Sequence, residues 1–428
     1  MPSPQHKIAV IGTGYVGLTT GACLAKLGHR VTCVDSDLKK LAGIESGVMP
    51  IYEDGLSEIV KDGQRSGRLI FTSDLLTAVA DAEFIFLCLP TPPDKDGFAD
   101  LTAIKLVAKE FHGHLMPGAI IVNKSTVPVN SARIVGELID NQHVAVVSNP
   151  EFLREGSAVH DFLNPDRIVI GCDNPLAGEK VAGLYLGSRS PVVVTDPISA
   201  ELIKYMANAF LALKISFVNQ AADFCDVVGA NVTEVMRGLS FDPRIGSTYL
   251  NPGPGWGGSC FPKDTKALVA SAALVGSPMT LVEEAIRSNV SHIFRIAQLI
   301  DESAMNGKGL SSRIAILGMS FKANTDDIRE SPALEILRVI VEKFTNVVVY
   351  DPHAKNTDLV KFDRVDSLDK AVSNADLVVI LTEWPEFIKL DASVYAELMA
   401  GKTIVDARYV LNTDRFASEG ITVRSLGR

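Results

Sequence analysis

Short apolar runs separated by polar or glycine-containing turns recur along the first half of the chain. Residues 7–11 are apolar, residues 16–27 are rich in helix-compatible side chains, and residues 30–34 are apolar again and end in Asp35. Strand, turn, helix and strand in that order make a βαβ unit. Further apolar runs at 84–89, 119–123, 144–148 and 167–171 alternate with helical stretches. That alternation predicts a mainly parallel, doubly wound sheet, ending near Pro197.

Residues 199–228 contain neither proline nor glycine and place Leu202, Tyr205, Met206, Ala209, Leu213 and Phe217 at helical spacing. A long helix is predicted, apolar on more than one face, which suits both a domain connection and a subunit surface. The glycine-rich stretch 251–259 reads as a loop, with helix resuming from Thr265. A polar break at 306–312 precedes a second alternation: strands at 313–317, 347–350, 377–381 and 403–405, and a helix at 331–343. The chain is therefore expected to be α/β, with two doubly wound Rossmann-like domains joined by a long central helix and a helical middle region. The expected domains are 1–198, 199–305 and 306–428.

Composition narrows the partners. Of 428 residues 47% are hydrophobic and 21% charged, as in a compact globular protein, and the net charge of −10 disfavours a nucleic-acid partner. The six cysteines are scattered without a Cys-x-x-Cys pair or zinc spacing, so free reduced thiols and no metal are expected. No apolar run approaches the roughly 18 residues of a membrane span, and the polar start carries no secretory pattern. A cytoplasmic protein without membrane attachment is the expectation.

Three features carry candidate chemistry. In Gly12-x-Gly14-x-x-Gly17 the first glycine permits a tight turn, the second a close backbone approach to a pyrophosphate, and the third close helix–strand packing. The motif follows a strand, opens a helix and has Asp35 at the end of the next strand, where a ribose hydroxyl would bind. The acid favours NAD over NADP, although Lys39 and Lys40 lie nearby. The alternative is a tight turn without a ligand. Lys204 and Asn208, four apart on the predicted long helix, share one face and could stabilise an oxyanion, or belong to a solvated surface. In Gly257-Gly258-Ser259-Cys260-Phe261-Pro262-Lys263-Asp264, Cys260 sits in a glycine-flanked loop beside a cation and a carboxylate, the setting of a nucleophilic thiol. The other five cysteines read as small buried hydrophobes. A thiol beside a nicotinamide suggests an aldehyde-level intermediate trapped as a thiohemiacetal, oxidised to a thioester and hydrolysed.

Six ordered blocks now coincide: Gly12 to Gly17, Ser125-Thr126-Val127-Pro128, Asn149-Pro150-Glu151-Phe152-Leu153-Arg154-Glu155-Gly156, Lys204-x-x-x-Asn208, Gly257 to Asp264, and Phe321-Lys322-x-x-Thr325-x-Asp327-x-Arg329-Glu330. Over essentially its whole length the chain resembles the UDP-glucose/GDP-mannose dehydrogenase family, most closely its UDP-glucose 6-dehydrogenase branch. The resemblance implies two NAD-dependent oxidations of C6 of the sugar without release of the aldehyde. It implies Cys260 as nucleophile, Lys204 and Asn208 as the oxyanion pair, and Asp264, Glu151 and Thr126 in proton transfer and water handling. NAD would be held by Gly12, Gly14, Tyr15, Val16, Gly17, Asp35, Lys40, Thr91, Thr126, Glu155, Lys263 and Arg329. The nucleotide sugar would meet Glu151, Phe152, Leu153, Arg154, Lys204, Asn208, Tyr249, Leu250, Asn251, Pro252, Gly253, Gly257 and Lys322. Arg244 would reach it from a neighbouring subunit in a homodimer or higher oligomer. The expected site lies between the two α/β domains, with Lys322 and Arg329 as cations for the diphosphate.

Two departures stand out. Leu89-Pro90 replaces the usual Val-Gly ahead of Thr91, and Trp256 replaces the usual Phe, which is expected to alter the shape of the sugar pocket. UDP-glucose is the expected substrate, with dTDP-glucose, GDP-mannose or UDP-N-acetylhexosamine as alternatives. A thiol-independent β-hydroxyacid dehydrogenase and a non-catalytic NAD-binding scaffold are the competing classes.

Overall fold

The computed structural model describes residues 5–185, 190–354, 357 and 360–428. The chain divides into two compact units, Met1–Ala207 with Lys266–Val275, and Asn208–Thr265 with Gly276–Arg428.

The first unit is built on eight strands: β1 (Lys7–Ile11), β2 (Arg30–Val34), β3 (Leu69–Thr72), β4 (Phe84–Leu87), β5 (Ile120–Asn123), β6 (Ala145–Ser148), β7 (Ile168–Gly171) and β8 (Val192–Thr195). Their order is β3-β2-β1-β4-β5-β6-β7-β8. All neighbours are parallel except β6 and β7, which meet antiparallel through Ser148 and Gly171. Strand order reverses between β1 and β4, so the crevice at their carboxyl ends is where an open α/β sheet takes a ligand. The two-residue period of a strand sends Ile8 and Val10 to one core and Ala9 and Ile11 to the other. Helices therefore cover both faces of β1, which has no solvated side.

The second unit carries β9 (Ile314–Leu317), β10 (Val347–Tyr350), β11 (Asp363–Arg364), β12 (Leu377–Ile380), β13 (Thr403–Asp406) and β14 (Thr422–Arg424). They form an all-parallel sheet in the order β11-β10-β9-β12-β13-β14. Buried apolar clusters lie on both of its faces, one of them closed by Thr280–Met305 and Pro332–Lys343.

Two helices start earlier than the sequence pattern suggests. The long helix spans Pro197–Val228 rather than beginning at Ser199. Asp196 accepts from the Ser199 N–H at 2.8 Å and its hydroxyl at 2.6 Å, and proline suits a first-turn position. The helix ends at Gly229, whose φ of 74° gives a left-handed stop. The helix expected from Thr265 begins at Phe261. Pro262 needs no hydrogen-bond acceptor in that first turn, and the Thr265 hydroxyl donates back to the Phe261 carbonyl at 2.7 Å. Cys260 thereby becomes the residue that immediately precedes a helix.

Candidate active site

The turn after β1 is dictated by close packing. Gly12 has φ 97°, and a Cβ there would lie 2.5 Å from the Cys88 carbonyl oxygen. A Cβ on Gly17 would lie 1.8 Å from the Gly12 oxygen, so only glycine lets helix Tyr15–Lys26 approach the strand this closely. A Cβ on Gly14 would meet nothing within 4 Å, and no side chain caps the helix that Gly14 opens. Free backbone N–H groups and open space thus coincide at the positive end of a helix dipole.

Asp35, at the end of β2, accepts from the Thr13 N–H at 2.9 Å and the Thr13 hydroxyl at 2.6 Å, and pairs with Lys40 at 2.7 Å. Burial would raise its carboxyl, but Lys40, Thr13 and the Asp37 N–H hold it at about 2. Lys40, which lies near in sequence, is therefore paired with the acid itself. The Tyr15 hydroxyl bonds the Glu53 carboxylate, and the Gly156 N–H donates to both, at 2.9 and 2.8 Å. Val16 packs on the sheet core. Thr91 donates to the Thr126 carbonyl at 2.8 Å, and Ser125 to the Leu89 carbonyl at 2.8 Å. The Leu89-Pro90 departure is thus tied directly to the Thr126 loop.

Lys204 and Glu151 form an ion pair at 3.0 Å with each side chain only 5% exposed. This overturns the solvated-face alternative for Lys204. Glu151 also accepts from the Leu153 N–H at 2.6 Å. Burial alone would push its carboxyl up, but the charge and hydrogen bond of Lys204, with the more distant charge of Lys124, keep it below the usual carboxylate range. The Phe152 ring lies 3.5 Å under the Arg167 guanidinium and 5.4 Å from the Lys204 ammonium. Arg154 holds Asp161 at 2.6 Å, and Glu155 is buried beside it in sequence.

In the second unit Asn208, one helical turn beyond Lys204, is buried and donates to Asp264 at 2.6 Å. Lys263 pairs with the other oxygen of Asp264, which is fully buried. Cys260 is half-buried with its sulfur 3.5 Å from the Ser259 hydroxyl. The glycine pair ahead of it has a steric reason. A Cβ on Gly257 would lie 2.0 Å from the Glu330 carbonyl oxygen, and one on Gly258 would lie 2.9 Å from the Phe321 ring. The Gly258 N–H donates to the Arg329 carbonyl at 3.1 Å, so the thiol loop is strapped to the segment carrying Lys322 and Arg329. The Lys322 ammonium lies 5.5 Å from the Phe321 ring, and the Arg329 fork grips Asp327 at 2.6 Å.

Tyr249 is exposed with φ 61°, Leu250 and Pro252 are buried and Asn251 is exposed. The Gly253 N–H donates to Asn219 at 3.0 Å and its carbonyl meets His292 at 2.8 Å. Arg244 points outward, 88% exposed, on Asp242. Trp256 turns inward: its indole donates to Ser216 at 2.9 Å and its backbone exchanges two 2.9 Å bonds with Asn289. The indole that was expected to reshape a sugar pocket is engaged in helix packing.

Burial pushes the thiols of Cys23 and Cys88 up to about 12 and that of Cys33 still higher, so these are unreactive. Cys225 is buried as well, while Cys172, expected to be buried, is half-exposed because it follows β7 at the sheet's end. Sequence patterns passed over Glu53, Lys124, Tyr185 and Ser216. Only Lys124 left a signal, as a charge directly after the apolar strand β5 and before Ser125-Thr126.

A doubly wound sheet with an open glycine turn at the end of its first strand defines the dinucleotide-binding class of α/β proteins. The chain matches the NAD binding domain of the UDP-glucose/GDP-mannose dehydrogenase family over residues 6–187, its central domain over 198–291 and its UDP binding domain over 315–413. It belongs to that family. It is 43% identical to the UDP-glucose 6-dehydrogenase of Rhizobium meliloti, with 99% of each chain covered. The UDP-glucose 6-dehydrogenase TuaD of Bacillus subtilis is 40% identical, with 99% of this chain and 94% of that one covered. A UDP-glucose dehydrogenase structure from the archaeon Pyrobaculum islandicum superposes with TM-score 0.87 at 36% identity, covering 99% of this chain and 97% of that one.

The first unit fits the dinucleotide that this domain binds. Gly14 leaves room at an uncapped helix N-terminus, and Asp35 is ionised at the end of β2.

Proposed function

We propose that the protein oxidises C6 of UDP-glucose twice to give UDP-glucuronate, with Cys260 carrying the sugar between the two oxidations. The observation that carries this reading is the Cys260 loop. Its thiol immediately precedes a helix whose Asp264 accepts from the buried Asn208 amide at 2.6 Å.

NAD bound through the Gly12–Gly17 turn, Asp35, Lys40, Thr91, Thr126, Glu155, Lys263 and Arg329 supplies the two-electron acceptor, two molecules per sugar. The chain's own residues do the rest. Loss of two electrons and two hydrogens takes the C6 alcohol to the aldehyde. The Cys260 sulfur then bonds to C6, and the oxygen, as it gains charge, is met by the Lys204 ammonium and the Asn208 amide. A second loss of two electrons and two hydrogens from this thiohemiacetal leaves a thioester. Water adds to C6, the C–S bond breaks, the sulfur recovers its proton and the carboxylate is released. Glu151, Asp264 and Thr126 move the protons and position that water.

For the nucleotide sugar we assign Phe152, Leu153, Arg154, Tyr249 to Gly253, Gly257 and Lys322, with Arg244 contributed by a neighbouring copy. Residues 1–198, 199–305 and 306–428 then act as cofactor, association and nucleotide-sugar domains. The association surface is the exposed stripe of Phe210, Phe217 and Phe224 at seven-residue spacing, 66%, 59% and 66% exposed. Three exposed aromatics on one helix face mark an interaction surface, and a second copy of the same helix is a self-complementary cover.

The test is NADH yield at exhaustion of limiting UDP-glucose. Two NADH per sugar supports the reading and one would refute it.

A further inference from the structure

Lys124 follows β5 at the carboxyl edge of the first sheet, and only 5% of it is exposed. Its ammonium donates to the Asn149 side-chain amide oxygen, Oδ1, and to the Tyr185 hydroxyl, each at 3.1 Å. The cradle is itself fixed: Tyr185 donates to the same Asn149 oxygen at 2.6 Å, and Asn149 donates to the Val169 carbonyl at 2.7 Å. The faces of Tyr185 and Phe162 lie 5.5 and 5.9 Å from the nitrogen. All of these partners are neutral. A buried cation held only by neutral groups is unfavourable unless a carboxylate nearby benefits from its field. That carboxylate is Glu151, which lines the same small cavity with Lys124, Phe152, Arg167 and Tyr185.

The charges around Glu151 can be named by element. Lys204 reaches it from the long helix at 3.0 Å, Lys124 stands after β5, and the half-buried Arg167 stands just before β7. Cys88, after β4, is neutral because burial pushes its thiol up to about 12. Lys204 has two tasks in the proposed reaction, pairing with Glu151 and meeting the oxygen on C6. In serving the substrate Lys204 would give up its pairing with Glu151, which would then lack its closest counter-charge at a position only 5% exposed. Burial would then favour the protonated acid, which cannot accept a proton.

We infer that Lys124 is a positioning residue: its ammonium, locked by Asn149 and Tyr185, keeps Glu151 ionised while Lys204 serves the substrate. The inference rests on the proposed role of Glu151 in proton transfer. Burial also holds Lys124 itself down at about 8, so its charge is present throughout the acidic and neutral range in which Glu151 would titrate.

The experiment compares wild type, Lys124→Gln and Lys124→Arg in two assays. In NADH formation from UDP-glucose against pH, the acidic limb of kcat/KM in Lys124→Gln should move up by about 1 to 3 pH units. Lys124→Arg, which retains the charge, should bring it most of the way back. In substrate-free protein, infrared titration of the Glu151 carboxyl, identified by difference against Glu151→Gln, should shift in the same direction. A uniform fall in kcat/KM with an unmoved limb and an unmoved carboxyl band would overturn the inference. Where Lys124→Gln does not fold, Lys124→Met removes the charge with an apolar stem of similar length, and an unmoved band there is equally decisive. If wild type makes no NADH from UDP-glucose, the proposed function fails, whereas the infrared titration still decides the link between Lys124 and Glu151.

Discussion

Removing one partner of the Lys204–Glu151 pair should destabilise the first unit far more than removing both. Lys204→Met keeps an apolar stem of similar length but leaves a carboxylate in a site where each side chain is 5% exposed. Breaking a buried pair in this way typically costs about 3–5 kcal/mol. Because the Lys124 ammonium still acts on Glu151, the lower end, about 3 kcal/mol at pH 7, is the expectation. Both tryptophans, Trp256 and Trp384, belong to the second unit, so their fluorescence would follow the wrong half of the chain. Native-state hydrogen exchange at the central β5 and β6 amides, including Val122 and Val147, reads the relevant opening free energy. The double variant with Glu151→Gln should recover most of the loss. The sign with pH follows from the depressed Glu151 carboxyl. Its contribution is complete above the unfolded value of about 4.3 and disappears as pH falls through the lower folded value, so wild type and Lys204→Met should converge in acid. A loss below about 1 kcal/mol at pH 7, or strictly additive single and double variants, would refute the reasoning.

Three further outcomes are expected. Cys260→Ala should lower turnover on the order of 10³-fold or more while leaving the circular dichroism spectrum unchanged, and near-normal steady-state rates would point to thiol-independent chemistry. Asp35→Asn retains an acceptor for Thr13 but frees Lys40 from its 2.7 Å pair. The ratio of kcat/KM for NADP over NAD should then rise by about 10- to 100-fold, the equivalent of one charge-assisted hydrogen bond, and an unchanged ratio would remove Asp35 from cofactor selection. Phe217→Glu should bring the mass measured by light scattering down to that of a single chain, and an undiminished oligomer would place the subunit contact elsewhere.

The interior of each sheet was legible as apolar runs, and all ten runs read as strands are strands within two residues of their predicted ends. The four strands without such a reading, β3, β8, β11 and β14, are the edges of the two sheets. An interior parallel strand is covered on both faces and so must be apolar throughout, whereas an edge is defined by its one neighbour. β11 is simply Asp363–Arg364, and the three valines of β8 are 44%, 42% and 56% exposed, so burial did not select them. Helix starts were misjudged for a related reason: Asp196 and Pro262 act through backbone groups outside the apolar period.

The candidate site divides along the same line. Gly12, Gly17, Gly257 and Gly258 stand out in sequence because a backbone that must pass close to another leaves no room for a Cβ, and that demand is local to the turn. The thiol, Lys204 and Asn208 are recognisable for the same reason, as residue types at fixed short spacing. What each charged group faces is a matter of contacts far apart in the chain. Asn208 meets Asp264 across 56 residues, Lys124 meets Tyr185 across 61, and the Gly156 N–H meets Tyr15 across 141. The sequence alone therefore determined which residue types stand at which short spacing. Only the tertiary structure decided that Lys40 is neutralised by Asp35, that Trp256 packs among helices, and that a second buried lysine shares Glu151 with Lys204. Electrostatic partnership depends on distance and burial, and no period along the chain encodes either.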